Sequence, residues 1–297
     1  PKKKTFAEIS FVDVAGPQAG ESEGSHSGLD PKLVQHMREV DALVHTVRAF
    51  DNAMMTDAAD PARDIRGFDD ELILTDLVQI ENRIARLKKE KDSTRERELL
   101  ERLKSALEAE KPLRDVELSN EEHILIAGFR FLSLKPLLLL LNVSEEKASS
   151  DPPAEVMELA ARKNLKLISM SGRAEMDISQ LDTDEQREFL QDLGIAEPAR
   201  DRFISAAYAL LDLISFLTAG EDECRAWSIK RGTTAHRAAG QIHSDIERGF
   251  IRAEVIRFED LIHFGSEARC REAGRLRSEG KDYIVQDGDV IHFRFNV

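Results

Sequence analysis

The 297 residues are 41% hydrophobic and 33% charged, a globular composition, and 56 acids against 42 Lys and Arg give a net charge of -14. That balance excludes a protein that coats nucleic acid by neutralising phosphates, so no DNA partner is expected, although a local basic patch remains open. Two cysteines, Cys224 and Cys270, are too few for a disulfide framework or a thiolate metal cluster, and no apolar run reaches a membrane span. With no secretory signal either, a reduced, cytoplasmic protein is expected. Pro1 is not an initiator residue, so further chain is expected upstream.

Residues 6–14 read as a strand ending in Asp13, with Gly16 three positions on. An Asp and a Gly in that relation suit a magnesium ion held through water and a phosphate met by the Gly amide; they also suit an ordinary turn. Residues 17–31 are rich in Gly, Ser and Glu and read as a mobile loop, followed by a helix over 31–39. Asp41 to Arg48 gives a buried strand in which His45 reads as a core histidine.

Residues 50–67 are polar and irregular. From 68 onward Ile73, Leu77, Ile80, Ile84 and Leu87 step by four and three, as do Leu100, Leu103 and Leu107. That spacing is the seam of two helices packed as an antiparallel coiled-coil hairpin. Around its tip Arg83, Arg86, Lys88, Lys89, Lys91, Arg95 and Arg97 outnumber Glu90, Asp92 and Glu96. Such a tip can contact an anionic partner such as RNA, or can be a solvated helical face.

After a helix over 120–133, Leu137 to Leu141 form an unbroken apolar run, the pattern of a parallel strand covered on both faces. It stops at Asn142, Val143, Ser144 and Glu145. Ligands of open α/β sheets bind at that edge, where an amide and an acid can read a nucleobase. The same residues also suit a turn cap and a helix start. A helix over 152–162 and a strand over 165–169 follow, the latter ending in Ser169, Met170, Ser171 and Gly172. Helices are expected over 184–192 and 199–214. This order is a parallel α/β domain with the hairpin inserted between its strands.

From about 215 the pattern turns to short alternating segments at 226–230, 250–256, 282–285 and 290–295, with Asp287-Gly288 as a hairpin turn between the last two. They describe a small mixed-sheet domain carrying Arg269, Arg271, Arg275, Arg277 and Lys281.

The run from Ala226 to Thr233, the segment Gly240–Glu254 and the ending Gly280–Val297 closely resemble the YchF / Obg-like ATPase family. Residues 11–16, 38–45, the helical hairpin and residues 142–145 agree with it in order, so the resemblance spans the chain. It implies a P-loop NTPase parallel sheet, an inserted antiparallel coiled-coil hairpin and a C-terminal β-grasp (TGS) domain. The segments are then 1–67 and 119–213 for the nucleotide-binding domain, 68–118 for the insertion and 214–297 for TGS. It further implies that Asp13 and Gly16 form the magnesium and γ-phosphate switch, with Asp13 on Mg2+ through water. Asn142, Val143 and Glu145 become the base-recognition motif, and Ser169, Met170 and Ser171 the loop closing over the base. A Glu where GTPases carry Asp fits the guanine edge poorly, so ATP is favoured over GTP. A ribosomal or RNA partner follows, with Arg86, Lys88, Lys89, Lys91 and Arg95 as contact candidates.

Three features depart from the family. No G-x-x-x-x-G-K-[ST] phosphate loop occurs in the 297 residues and it is expected upstream; Pro17 follows the switch Gly; and residues 49–67 contain no His where the family has a proposed catalytic one. The departures leave two readings, a translation- and stress-linked ATPase switch or a ribosome- and RNA-binding module without catalysis.

Overall fold

The computed structural model describes residues 2–14, 29–52, 57–88, 94–195, 197–220 and 222–296. The chain divides into two compact units, Val14–Leu210 and a second built from Pro1–Asp13 with Leu211–Val297. Strand β1 (Lys3–Thr5) belongs to the second.

The first unit runs α1 (Pro31–Glu39), β2 (Leu43–Arg48), α2 (Pro61–Leu87), α3 (Thr94–Glu108), α4 (Asn120–Ile126) and β3 (Leu137–Asn142). It continues with α5 (Ala154–Arg162), β4 (Lys166–Met170), α6 (Gly172–Ser179), α7 (Thr183–Asp192) and α8 (Ala199–Leu210). Its sheet is parallel, in the order β2-β3-β4. Leu137, Leu139 and Leu141 pack with Met37, Ile65, Leu72, Val156 and Leu159 on one face. Leu138 joins Ile168 and Ala206 of α8 on the other. Burial on both faces is why an uninterrupted leucine run forms a strand here; each such side chain contributes about 2 kcal/mol.

Helix α2 serves two cores. Asp60 accepts from Arg63 N and Pro61 stands in the first turn, which starts the helix. Its first half buries Ala62, Ile65 and Leu72 against the sheet. Its second half packs Ile73, Ile80, Ile84 and Leu87 on Leu99, Leu100, Leu103 and Leu107 of α3. Where the halves meet, the buried Asp76 carboxylate accepts the backbone N–H groups of Leu132 (2.9 Å) and Ser133 (2.7 Å). Beside it, Gln79 accepts from Arg38 Nη2 (2.9 Å) and donates to Phe129 O (3.0 Å). These bonds tie the helix to α1 and to the connection entering β3.

The second unit adds β5 (Leu213–Ala219), β6 (Glu223–Lys230), α9 (Ala235–Ile242), α10 (Ser244–Arg248) and β7 (Phe250–Arg257). It ends with α11 (Phe258–Phe264), α12 (Glu267–Glu272), β8 (Arg277–Glu279) and β9 (Asp289–Phe295). Its mixed sheet has the order β1-β6-β5-β9-β7-β8. Ile214, Phe216, Ile229, Val255, Ile291 and Phe293 form its core with Ala235, Ala238 and Ala239 of α9.

Several expectations differ. Residues 6–14 are not a strand: Lys3–Thr5 pair in parallel with β6, and the following coil leaves Phe6 82%, Phe11 53% and Val12 60% exposed. Apolar alternation gives a strand only where a neighbouring backbone pairs with it in a ladder, and among the described residues no ladder includes residues 6–14. Residues 1–13 accordingly group with Leu211–Val297 and not with residues 14–67. Residues 282–285 form one bridge, Ile284 to Thr234, and no hairpin with β9. Gly288 does adopt a turn conformation (φ +79°), but its N–H and the Asp287 carboxylate bind the backbone of Ser215 instead. The loop over 17–31 falls mostly outside the described residues, as do Gly16, Lys89 and Lys91.

Candidate functional site

Strands β2, β3 and β4 end level with one another, Arg48 opposite Asn142 and Asn142 opposite Met170. Past the ladder, Ala49 N donates to Asn142 O (2.8 Å) and Val143 N to Met170 O (2.9 Å). Arg48 then holds the turn after β2, donating to Phe50 O (3.0 Å) and Asp57 O (2.9 Å).

At this edge the Asn142 side chain is fixed: its Oδ1 accepts the Gly172 N–H at 3.0 Å. The amide orientation follows, leaving Nδ2 as the donor group. Ser171, almost fully buried, caps α6 by accepting from Ala174 N (3.4 Å). Val143 is buried, while Glu145 opens a short 3-10 turn, Glu145–Lys147, and is exposed. The structure therefore brings Asn142, Val143, Ser169, Met170 and Ser171 together around one edge, with Glu145 three residues beyond Asn142.

Sequence reasoning missed Gly172 as a partner of Asn142, and it placed a helix over 199–214 without linking it to this edge. Ser169 O accepts from Arg202 Nη2 at 3.2 Å. Glu175 of α6 accepts from Ala199 N (2.7 Å) and Arg200 N (3.3 Å) at the start of α8. Nothing local in the sequence links residues 24 to 33 positions apart; the Ser171-Gly172 helix start was the one available signal.

Asp13 is an exposed carboxylate in coil and belongs to the other unit. Among the described residues no group of three or more His, Cys, Asp or Glu is placed to hold a metal ion. His45 is partly buried, with its Nδ1 lacking a hydrogen-bond partner: its ring stacks on Phe68 at 4.2 Å, and burial lowers its pKa to about 4 against the opposing pull of Asp64 and Asp69. On the hairpin, Arg83 pairs with Glu96 (2.8 Å), Lys104 with Glu81 (2.7 Å) and Arg95 with Glu121 of α4. Arg95, a contact candidate, makes this pair with both side chains 72% exposed. Arg86 and Lys88 are exposed.

Among the described residues no helix is long and apolar enough to cross a membrane.

Comparison with known proteins places this geometry. The family model YchF-GTPase_C, described as "Protein of unknown function (DUF933)", matches residues 213–296. "Ribosome-binding ATPase YchF" of Bacillus subtilis (strain 168) is 45% identical over 310 residues, spanning 100% of this chain and 84% of that protein. The protein of the same name from Escherichia coli O157:H7 is 42% identical over 306 residues, with the same coverage. Among solved structures, the Schizosaccharomyces pombe YchF GTPase superposes with a TM-score of 0.82 at 30% identity, covering 92% of this chain and 78% of that one. A Pyrococcus horikoshii OT3 GTP-binding protein, at 18% identity and a TM-score of 0.54, shares the fold. The architecture is a mixed α/β fold of the P-loop NTPase class, and the chain belongs to the YchF family.

Proposed function

We propose that the chain binds a purine nucleotide, ATP in preference to GTP, at the C-terminal edge of β3 and β4, and acts in the cytoplasm as a ribosome-associated switch. The observation that carries this reading is the Asn142–Gly172 bond, which occupies Oδ1 of the Asn142 amide and leaves Nδ2 as the group that would donate to a purine ring nitrogen. Glu145 stands three residues on, where a longer side chain than Asp presents its carboxylate less well to the two guanine N–H groups. Relatives named ribosome-binding ATPase support the partner.

Magnesium would accompany the nucleotide phosphates. Asp13 has the chemistry for an outer contact through water, because Mg2+ keeps several waters and takes one or two carboxylates with phosphate. It is one carboxylate and does not make a site by itself. The 297 residues contain no G-x-x-x-x-G-K-[ST] and no His in 49–67. They supply the base-reading part of the chemistry, and phosphoryl-transfer catalysis needs the phosphate cradle as well. A second reading, a ribosome- or RNA-binding module without catalysis, draws on the exposed basic residues of α2. Its contacts would use the TGS domain and the exposed Arg86 and Lys88 on a coiled-coil insertion.

Co-sedimentation with ribosomes, with and without ATP, tests the proposal. Pelleting that changes with ATP supports the switch; pelleting indifferent to ATP supports the binding module. Magnesium-dependent ATP turnover by the same protein excludes the module.

A further inference from the structure

Among the described residues strand β4 is the outer strand of its sheet, with no strand neighbour on one side of its backbone. At its C-terminal end that side is held by a side chain. Arg202 of α8 donates Nη2 to Ser169 O at 3.2 Å. A carbonyl bonded to a guanidinium is held more strongly than one bonded to a neutral donor. Helix α8 is in turn fixed by Glu175, whose two oxygens accept Ala199 N and Arg200 N.

The bonds close a circuit. Asn142 Oδ1 holds Gly172 N, α6 carries Glu175, Glu175 holds the start of α8, and Arg202 of α8 holds Ser169. Met170 O then receives Val143 N, which returns to the strand of Asn142. Two polar atoms inside the circuit, Arg202 Nε and Ser169 Oγ, are buried without a hydrogen-bond partner. Such groups are costly to bury, so the loop that carries them depends on its remaining bonds.

We propose that Arg202 and Glu175 are positioning residues that fix the Ser169–Gly172 loop against Asn142, and so set the fit of a purine base. The inference rests on the nucleotide reading above. Neither residue is assigned a contact with the base; Arg202 acts through Ser169 O and Glu175 through α8.

The test compares the intact protein with Arg202→Leu, Arg202→Lys and Glu175→Gln. Hydrogen–deuterium exchange over residues 166–174 is measured without ligand, and N-methylanthraniloyl-ATP is titrated in parallel. Arg202→Leu is expected to speed exchange in 166–174 while leaving α9 unchanged, and to weaken the nucleotide roughly tenfold, the loss of one charged hydrogen bond. Arg202→Lys recovers most of both, and Glu175→Gln is intermediate. Unchanged exchange in Arg202→Leu, or loss spread evenly over the chain, overturns the proposal. If the unaltered protein binds no nucleotide, the functional reading fails while the exchange experiment still decides whether Arg202 positions the loop.

Discussion

Asn142 and Gly172 need one another. The Asn142 Oδ1 receives the Gly172 N–H at 3.0 Å, and a Cβ built at 172 would lie 3.4 Å from the same oxygen. A methyl there would make ordinary van der Waals contact with the amide, so the Gly172 N–H bond is the part of the pair that fixes Asn142. Asn142→Asp keeps an acceptor for Gly172 but removes the Nδ2 donor. It should therefore fold with near-normal stability and lose purine nucleotide affinity by tenfold or more. Asn142→Ala should lose both, with stability down by about 1–2 kcal/mol. Thermal unfolding alongside a nucleotide titration separates the two effects.

Glu145 is exposed, so shortening it disturbs little packing. Glu145→Asp should move the ATP-to-GTP affinity ratio toward GTP, because the shorter carboxylate can accept both guanine N–H groups. A ratio equal to that of the unaltered protein would remove Glu145 from base selection.

Asp69, 1% exposed, binds Arg114 Nη2 at 2.5 Å and Lys163 Nζ at 2.6 Å. It joins α2 to the segments after α3 and α5. Arg114 Nε and Nη1 are already buried without partners. Removing the carboxylate leaves a buried cation uncompensated, so Asp69→Ala should cost about 3–5 kcal/mol. Denaturant titration checks it; a loss under about 1 kcal/mol would show that water reaches the pair.

Gly249 has an ordinary backbone angle, φ -88°, yet a Cβ there would meet Asn296 O at 2.1 Å. The close approach lets Asn296 N donate to Gly249 O at 2.9 Å. Gly249→Ala must push the chain end away, an overpacking cost of about 1–3 kcal/mol confined to the C-terminal unit. The single Trp, Trp227, packs against that unit's core and reports its unfolding by fluorescence.

Burial holds the His45 pKa at about 4, below its ordinary 6.5. The unfolded chain therefore takes up a proton between these values that the folded chain refuses. His45 costs nothing above pH 6.5, and stability falls as pH drops from 6.5 toward 4, by about 1.4 kcal/mol per pH unit. The buried Asp76 works in the opposite sense: burial raises its pKa, so its contribution falls as pH rises through the acid range. Comparing the protein with His45→Leu isolates the histidine. Between pH 6.5 and 5 the histidine form should lose about 2 kcal/mol relative to the variant.

The sequence reveals elements whose burial is written in local residues. Leu137–Leu141 could only be a strand covered twice, and both faces are buried. The four-and-three spacing from Ile73 to Leu87 marks the face that α2 turns to α3. The start of α2 was missed because Asp60-Pro61 was read as irregular polarity when it is a cap followed by a first-turn proline. The strand expected over 6–14 and the hairpin expected at 282–295 failed for another reason. Pairing depends on which backbone is adjacent in space, and the backbones that bind here, β6 for Lys3–Thr5 and Ser215 for Gly288, are distant in sequence. At the candidate site, Asn142 and Ser169–Ser171 were legible as strand ends. Gly172, Glu175 and Arg202 were not, because their roles exist only once α6 and α8 are folded against β4.

The most direct measurement is an equilibrium titration of the protein with N-methylanthraniloyl-ATP and with the GTP analogue, under identical magnesium and salt. The account predicts saturable binding of both, tighter for the adenine nucleotide, with the preference reduced in Glu145→Asp. Tighter binding of the guanine nucleotide would contradict the base-selection account, and binding unaffected by Asn142→Ala would contradict the site itself.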